Sequence, residues 1–162
     1  MRNSQRRIER RLGDKDWEDQ PGPMFRGGNI QYEIAERARG LTVGGIGLMQ
    51  KMVQDLGLPA RIDERLELLK VHLPYFESDH VLNIAYNSLV GGKSIEDIEL
   101  RRNDEVFLDA LGTERIPDPT TAGDFCRRFA EEDVEALLDA INETRLEVWK
   151  KQPEEFFEEA RP

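Results

Sequence analysis

Apolar residues recur every three or four positions through most of the middle of the chain, which is the spacing of an amphipathic helix. Between Gly44 and Gly57 this spacing places five apolar side chains on one helical face, and Gly57 is a suitable residue to end the helix. Residues 78–92 are apolar around nearly the whole helical circumference, with Ser78 as a candidate N-cap and Gly91 as a stop. The pattern predicts a first amphipathic helix followed by a central, buried helix.

Further helices are indicated by their capping residues. Ser94 opens an S-x-x-D capping pattern, and Asn103 begins a similar one that closes at Gly112, so two short helices are expected. Residues 131–152 form the longest periodic stretch, with acids near its start and lysines at its end, as the helix dipole favours. The apolar stripe of this stretch consists of Val134, Leu137, Leu138, Ile141, Val148 and Trp149.

These patterns together predict an all-α fold, an irregular bundle of about six helices. Ile30, Tyr32 and Ile34 alternate with polar residues, which suits a short strand, although the same segment also suits a helix. At most one short strand is therefore expected.

Composition divides the chain into three regions. Residues 1–29 are expected to form a disordered basic arm and a linker rich in glycine and proline, and residues 30–152 a helical domain. Residues 153–162 form an acidic tail that ends as if cut off before a further domain. Phe156 and Phe157 lie among glutamates in this tail, so they either fold back or dock on a partner surface.

The charge balance sets limits on partners. The chain has 33 acidic and 23 basic residues, a net charge of -10 at pH 7, which argues against nonspecific coating of nucleic acid. The arm is the exception, because its first twelve residues contain five arginines and a single acid. Either a solvated arm or one that contacts phosphate fits this composition. The five arginines are Arg2, Arg6, Arg7, Arg10 and Arg11.

Cysteine usage and hydropathy bear on location. Cys126 is the single cysteine, so an internal disulfide is excluded, and the chain suits a reducing compartment. No apolar run approaches the roughly 18 residues of a membrane span, and the basic start lacks the apolar core of a signal peptide. We expect a cytoplasmic protein without a membrane partner.

The segment PDPTTAGDFCRRF, residues 117–129, is the candidate for DNA contact. If Asp118 caps a helix and Pro119 takes its first position, one side of that helix becomes core and the other a polar face. The expected core side is Ala122, Phe125, Cys126 and Phe129, and the polar side is Thr120, Thr121, Asp124, Arg127 and Arg128.

Hydroxyl and guanidinium groups on such a face can contact phosphate or the edge of guanine. Two features count against this interpretation. The connection from Gly112 to Pro117 is longer than the turn of a tight helix-turn-helix, and Asp124 repels phosphate. From the residues alone, both a DNA interface and an ordinary solvated face remain open.

The sequence signals for a catalytic or metal-binding site are weaker than the signal for a DNA interface. His72 and His80 are the only histidines, and no cysteine lies near them to complete a zinc site, so His80 is interpreted as structural. Cys126 has no histidine within sequence reach to activate it as a nucleophile. The VGGKS segment lacks the glycine spacing of a phosphate-binding loop. The residues on their own indicate no reaction and no cofactor in this chain.

Three blocks in a fixed order nevertheless resemble a known family. They are IQYEIAERARGLTVGGIGLMQKMVQDLGL, HVLNIAYNSLVGGKSIEDIELRRNDEVFLDALG and IPDPTTAGDFCRRF. Together they resemble the amino-terminal, pre-catalytic part of insertion-sequence transposases of the DDE type, in the group-1 DDE branch. The resemblance runs from about Ile30 to Trp149, and its most specific pieces are GGIG, GGKSIEDIELRRND and the PTT-x-G-D-F-x-R-R-F segment.

The resemblance implies that a helical region precedes an RNase H-like domain, in which three carboxylates bind divalent metal such as Mg²⁺ for strand cleavage and transfer. The first of those carboxylates is expected beyond residue 162, so no acid of this chain inherits a catalytic role and the chain alone is not expected to be active. It would bind transposon ends or assist synaptic assembly. The implied DNA contacts are Thr120, Thr121, Arg127, Arg128 and the five arginines of the arm.

Two other functions remain open from the sequence. The chain could be a helical protein-interaction or dimerisation module that associates with itself or with an intact transposase. It could also be a decayed transposase remnant without an independent function. A DNA-binding chain is expected to lose affinity steeply with salt, whereas self-association would be indifferent to deletion of residues 1–12.

Overall fold

A computed structural model of the chain describes residues 6, 8–10, 13, 25, 43–70, 74–153 and 156–157. Over these ranges the protein is all-helical and contains no strand, which confirms the predicted fold class. The possible strand at Ile30–Ile34 lies outside the described residues. The α-helices between residues 43 and 153 are α1 (Ile46–Asp55), α2 (Leu58–Arg65), α3 (Glu77–Leu89), α4 (Ile98–Arg102), α5 (Glu105–Leu111), α6 (Pro119–Cys126) and α7 (Glu131–Lys150), and a 3-10 helix (Ile95–Asp97) leads into α4.

The main core surrounds α3, as predicted, but the helix is not buried all round, because Ala85 and Leu89 are exposed. Leu82 and Tyr86 of α3 are buried together with apolar side chains from α1, α4, α5 and α6. The ring of Phe25 packs 5.8 Å from the ring of Tyr86, and its backbone N–H donates to a carboxylate oxygen of Asp79 at 3.1 Å. Ile8, in the predicted arm, is also buried in this core, and residues 8–10 have helical backbone. The core therefore draws on residues that precede α1 in the chain.

A second, smaller core joins α2 to α7. Ile62 and Leu66, at the end of α2, are buried against Ala140 near the middle of α7. The hydrophobic pattern did not predict α2, because the helix has only eight residues and six of its positions are charged or occupied by proline or alanine. Gly57 precedes it with a positive φ of 69°, and Pro59 stands in its first turn, where a missing N–H is tolerated.

The helix ends mostly follow the predicted chemistry, with one-residue corrections. The Ser94 N–H donates to Asp97 at 3.0 Å, as the capping pattern predicts. Asp104, rather than Asn103, caps α5 by accepting from the N–H groups of Val106 and Phe107 at 3.0 and 3.2 Å.

The start of α3 also differs from the prediction. The helix begins at Glu77, so Ser78 lies inside its first turn and is not the N-cap. Its N–H and hydroxyl instead donate to the carboxylate of Asp63 in α2, at 2.8 and 3.0 Å. Ser78 therefore ties the two helices together.

Helix α7 buries only part of its predicted apolar stripe. The face toward α2 is built from Ala140 and Thr144, with Leu137 half-buried beside them. Val148 is also half-buried, but the other large apolar side chains of the helix remain exposed because the short helix α2 covers only one side of it. They are Val134 (46% exposed), Leu138 (53%), Ile141 (41%), Leu146 (47%) and Trp149 (40%).

Candidate nucleic-acid interface

The first turn of α6 is organised by Asp118. Its carboxylate accepts the N–H of Thr121 at 3.0 Å, and the Thr121 hydroxyl donates to its other oxygen at 2.7 Å. Pro119 takes the first helical position, as predicted. Partial burial acts to raise the pKa of Asp118, but the hydrogen bonds from Thr121 and Thr120 and the nearby Arg102 guanidinium hold that pKa below its usual value. A carboxylate thus occupies the amino end of α6.

The inner face of α6 matches the predicted core side except at one residue. Ala122 and Phe125 are buried, and Phe129 is half-buried in the second core. Cys126 is exposed, so its assignment to the core side is wrong. It is the last residue of a helix of only eight residues, and no helix among the described residues covers the thiol.

An aromatic row fixes α6 against α3. The His80 ring stacks on the Phe125 ring with centroids 4.4 Å apart and planes 10° from parallel. Tyr75 meets His80 edge-on at 5.7 Å, and Phe129 meets Phe125 edge-on at 5.3 Å. Asn83 adds a hydrogen bond from its side-chain amide to the Pro117 carbonyl at 3.0 Å, which holds the connection before α6.

His80 itself is a packing residue. Burial, reinforced by the nearby Arg128 guanidinium, lowers its pKa to about 4, so the ring is neutral at pH 7. The ring atom Nδ1 is buried and has no hydrogen-bond partner among the described residues. These surroundings agree with the structural role expected from the sequence.

The outer face of α6 offers fewer free groups than the sequence predicts. Thr120 is exposed, whereas the Thr121 hydroxyl is used by the cap. Arg127 is exposed and forms an ion pair with Asp124 on the same surface. Such an exposed pair is weak, about 0–1 kcal/mol, so it leaves Arg127 available to a phosphate.

Arg128 has a structural contact as well as an exposed surface. Its Nη1 donates to the carbonyl of Leu68 at 3.1 Å, across 60 positions of sequence. This hydrogen bond links the end of α6 to the segment that follows α2. Of the four residues in or directly after α6 that were predicted to bind DNA, Thr120 and Arg127 are thus the exposed ones that make no described side-chain hydrogen bond to another part of the fold.

Two basic residues that the sequence did not single out gather near the start of α6. The Arg115 guanidinium lies 5.3 Å from the centre of the Tyr75 ring. Arg102, at the end of α4, is exposed and forms an ion pair with Glu99 at 3.2 Å. Its positive charge also acts to lower the pKa of both Asp118 and Tyr75. Burial raises the pKa of Tyr75 to about 12 in spite of these cations. The Arg-Arg pair within the GGKSIEDIELRRND block was the available signal for Arg102.

The arm contributes two described arginines. Arg6 and Arg10 are exposed, so their side chains are open to solvent on the described surface. Arg2, Arg7 and Arg11 lie outside the described residues, as does His72. The arm as a whole therefore stays a predicted part of the interface.

Among the described residues, no group of three or more histidine, cysteine, aspartate or glutamate side chains is arranged to hold a metal ion. Within the same ranges, every helix is too short or too polar to cross a membrane. Comparisons of the chain with protein-family models, with curated proteins and with solved structures found no match.

Proposed function

We propose that this chain is the helical, pre-catalytic region of a DDE-type insertion-sequence transposase and that it helps to bind transposon ends. The proposal rests on the order of the three sequence blocks. Its support in the fold is that α6, formed by the last block, has an exposed face with Thr120 near its amino end and Arg127 directly after its last residue. Arg102, from the second block, lies near the same amino end.

The chemistry of this surface suits a phosphate backbone. Arg102 and Arg127 are exposed cations that each have only a surface carboxylate as partner in the described contacts. Exchanging such a weak partner for a DNA phosphate is favourable, because phosphate contacts also release counterions. The arm arginines would add affinity that depends on salt.

Binding can be measured by fluorescence anisotropy with a labelled duplex taken from the genomic DNA flanking the gene, and a scrambled duplex as competitor. We expect the Arg102→Ala/Arg127→Ala variant to bind at least about tenfold more weakly and to lower the salt slope by about 2, because two phosphate contacts are lost. Lys150→Ala/Lys151→Ala is the matched control, since it removes two exposed charges at the end of α7.

Equal weakening by both double variants would contradict this interface, because it would show that only net charge matters. Binding that is equally tight to the scrambled duplex would contradict the recognition of transposon ends. Circular dichroism of each variant checks that the helix content is unchanged.

Membership in the transposase family has its own test. We propose that a catalytic domain is encoded downstream of codon 162. Translation of the genomic DNA in three forward frames should then give a β-strand pattern ending in aspartate. Unrelated downstream sequence would remove the inherited catalytic role and leave the interaction function as the better candidate.

A protein-interaction module is the second candidate function, and two observations favour it. The exposed apolar side chains of α7 are the kind of surface that partners cover. The net charge of -10 also suits a protein partner better than DNA.

A further inference from the structure

Four exposed apolar side chains form one row along α7. Val134, Leu138, Ile141 and Trp149 are separated by four, three and eight positions, so at 100° per residue they lie within one third of the helical circumference. None of the four belongs to either apolar core. The helix has 20 residues and is therefore about 30 Å long, which is enough for a row of this length to meet a second helix.

The row is separate from the side of α7 that holds the helix in the fold. Ala140 and Thr144, the two buried residues of the helix, lie about 140° and about 100° away around the axis from the centre of the row. Small residues thus face α2, while large residues face outward. The Arg145 side chain lies in the row and stacks on Trp149, with its guanidinium 4.9 Å from the ring centre.

Acidic residues lie near the row in the first half of α7, and a basic residue lies in the row in the second half. In the first half of α7, Glu131 and Glu135 lie about 40° and about 80° from the centre of the row, and in the second half Arg145 lies at that centre. Positions 135 and 145 are each five residues along the chain from position 140, which is near the middle of α7. Two copies of α7 packed antiparallel about this midpoint would place Glu135 of each opposite Arg145 of the other, and Leu138 and Ile141 would meet at the centre.

We propose that this row is a homodimer interface in which two copies of the chain pack through antiparallel α7 helices. The positions of Glu135 and Arg145 are the reason for choosing a second copy of the chain as the partner. Each of these charges faces an opposite charge when a second α7 runs in the antiparallel direction, and a like charge when it runs parallel. A single helix pair belongs to the weak, transient class of interfaces, which bury less than about 1,200 Å². The inference does not depend on DNA binding.

Sedimentation velocity of the full chain, without DNA and over a wide range of concentrations, tests the proposal. Because each copy carries a charge of -10, we would work at 0.15 M salt, where the Debye length is about 8 Å. We expect a monomer–dimer equilibrium. Leu138→Glu/Ile141→Glu should raise the dimer dissociation constant by more than about tenfold, because it places four carboxylates at the centre of the interface.

Leu48→Glu is the matched control. Leu48 is as exposed as the row residues, at 57%, but it lies on α1 and not on α7. Its substitution should leave the dissociation constant within about twofold of the original value. Thermal unfolding of the variants confirms that all of them are folded.

Charge reversal tests the orientation. Glu135→Arg alone and Arg145→Glu alone should each weaken the dimer, because each change places like charges opposite one another in an antiparallel pair. The double variant Glu135→Arg/Arg145→Glu should recover most of the loss. Failure of the double variant to recover would overturn the antiparallel arrangement.

Two outcomes would overturn the interface itself. One is a chain that stays monomeric at every concentration, which would mean that the row is not covered by a second copy. The other is a dimer that Leu138→Glu/Ile141→Glu and Leu48→Glu weaken equally. Neither outcome bears on the transposon-end proposal, whose variants lie on α4 and after α6.

Discussion

The amino end of α3 and the outer row of α7 reverse the usual relation between polarity and burial. Glu77, Ser78, Asp79 and His80 follow one another at the start of α3, and all four are buried. In α7 the larger apolar side chains lie at the surface, while alanine and threonine face the interior. Polarity alone therefore does not predict which face of a helix is buried.

Hydrogen-bond partners explain the first region. One oxygen of Glu77 accepts the N–H groups of Leu68 and Leu69, both at 3.0 Å, and so fixes the chain that follows α2. Asp79 accepts the N–H groups of Phe25 and Phe76 at 3.1 and 3.0 Å. A buried carboxylate is tolerated when such donors replace water, and here the donors come from three separate parts of the chain. In α7 no described partner covers the outer row.

The largest expected effect comes from removing one of the buried carboxylates. Asp79→Ala leaves the N–H groups of Phe25 and Phe76 without these acceptors. Hydrogen bonds to a charged group contribute about 1.5–3 kcal/mol each, so we expect the free energy of unfolding to fall by about 3 kcal/mol or more. Urea denaturation measures this change.

Asp139→Ala is the control for the Asp79 variant. Asp139 is an exposed aspartate on α7, so its removal should change the free energy of unfolding by no more than about 0.5 kcal/mol. A similar small change for Asp79→Ala would show that the buried polar cluster adds no net stability.

The comparison also explains how far the sequence could predict the fold. Local signals were reliable, since the capping patterns and periodicity placed α1, α3, α5, α6 and α7 within a few residues of their observed ends. The all-α class followed from these helices. The sequence did not predict α2, because that helix has too few apolar residues to show a periodic pattern. It therefore did not predict which face of α7 is buried either, because that face is decided by the packing of α2 on Ala140.

The candidate site was predictable to a similar extent. The Asp118 cap and the inner positions of Ala122 and Phe125 follow from helical geometry. The hydrogen bond from Arg128 to Leu68 was not predictable, because it joins residues 60 positions apart. Arg102 approaches α6 through the packing of α4, which no local pattern encodes.

The second effect concerns pH and the same buried cluster. His80 has an ordinary pKa of 6.5 when unfolded and a pKa of about 4 in the folded protein, because burial and Arg128 disfavour its charged form, although Asp118 opposes them. Between these two pKa values, the unfolded chain binds more protons at His80 than the folded protein does. Stability should therefore be complete above pH 6.5 and decrease as the pH falls toward 4, by on the order of 2–3 kcal/mol.

His80→Phe isolates this contribution, since a phenylalanine ring can stack on Phe125 but cannot take up a proton. We expect urea denaturation at pH 7 and pH 4.5 to show a smaller loss of stability for the variant than for the original chain. Parallel losses in the two proteins would assign the acid sensitivity to carboxylates instead.

The smallest effects distinguish two adjacent leucines of α7. Leu137 is half-buried against the core of Ile62, Leu66 and Ala140, whereas Leu138 belongs to the exposed row. Glutamine has nearly the helix propensity of leucine, so the same substitution at both positions compares burial alone. Leu137→Gln should lower the free energy of unfolding by about 1.5 kcal/mol, and Leu138→Gln by no more than about 0.5 kcal/mol, when urea denaturation is measured on protein dilute enough to be monomeric. If Leu138→Gln is the more costly change under these conditions, the row is covered within the monomer, and the contrast between the two regions no longer holds.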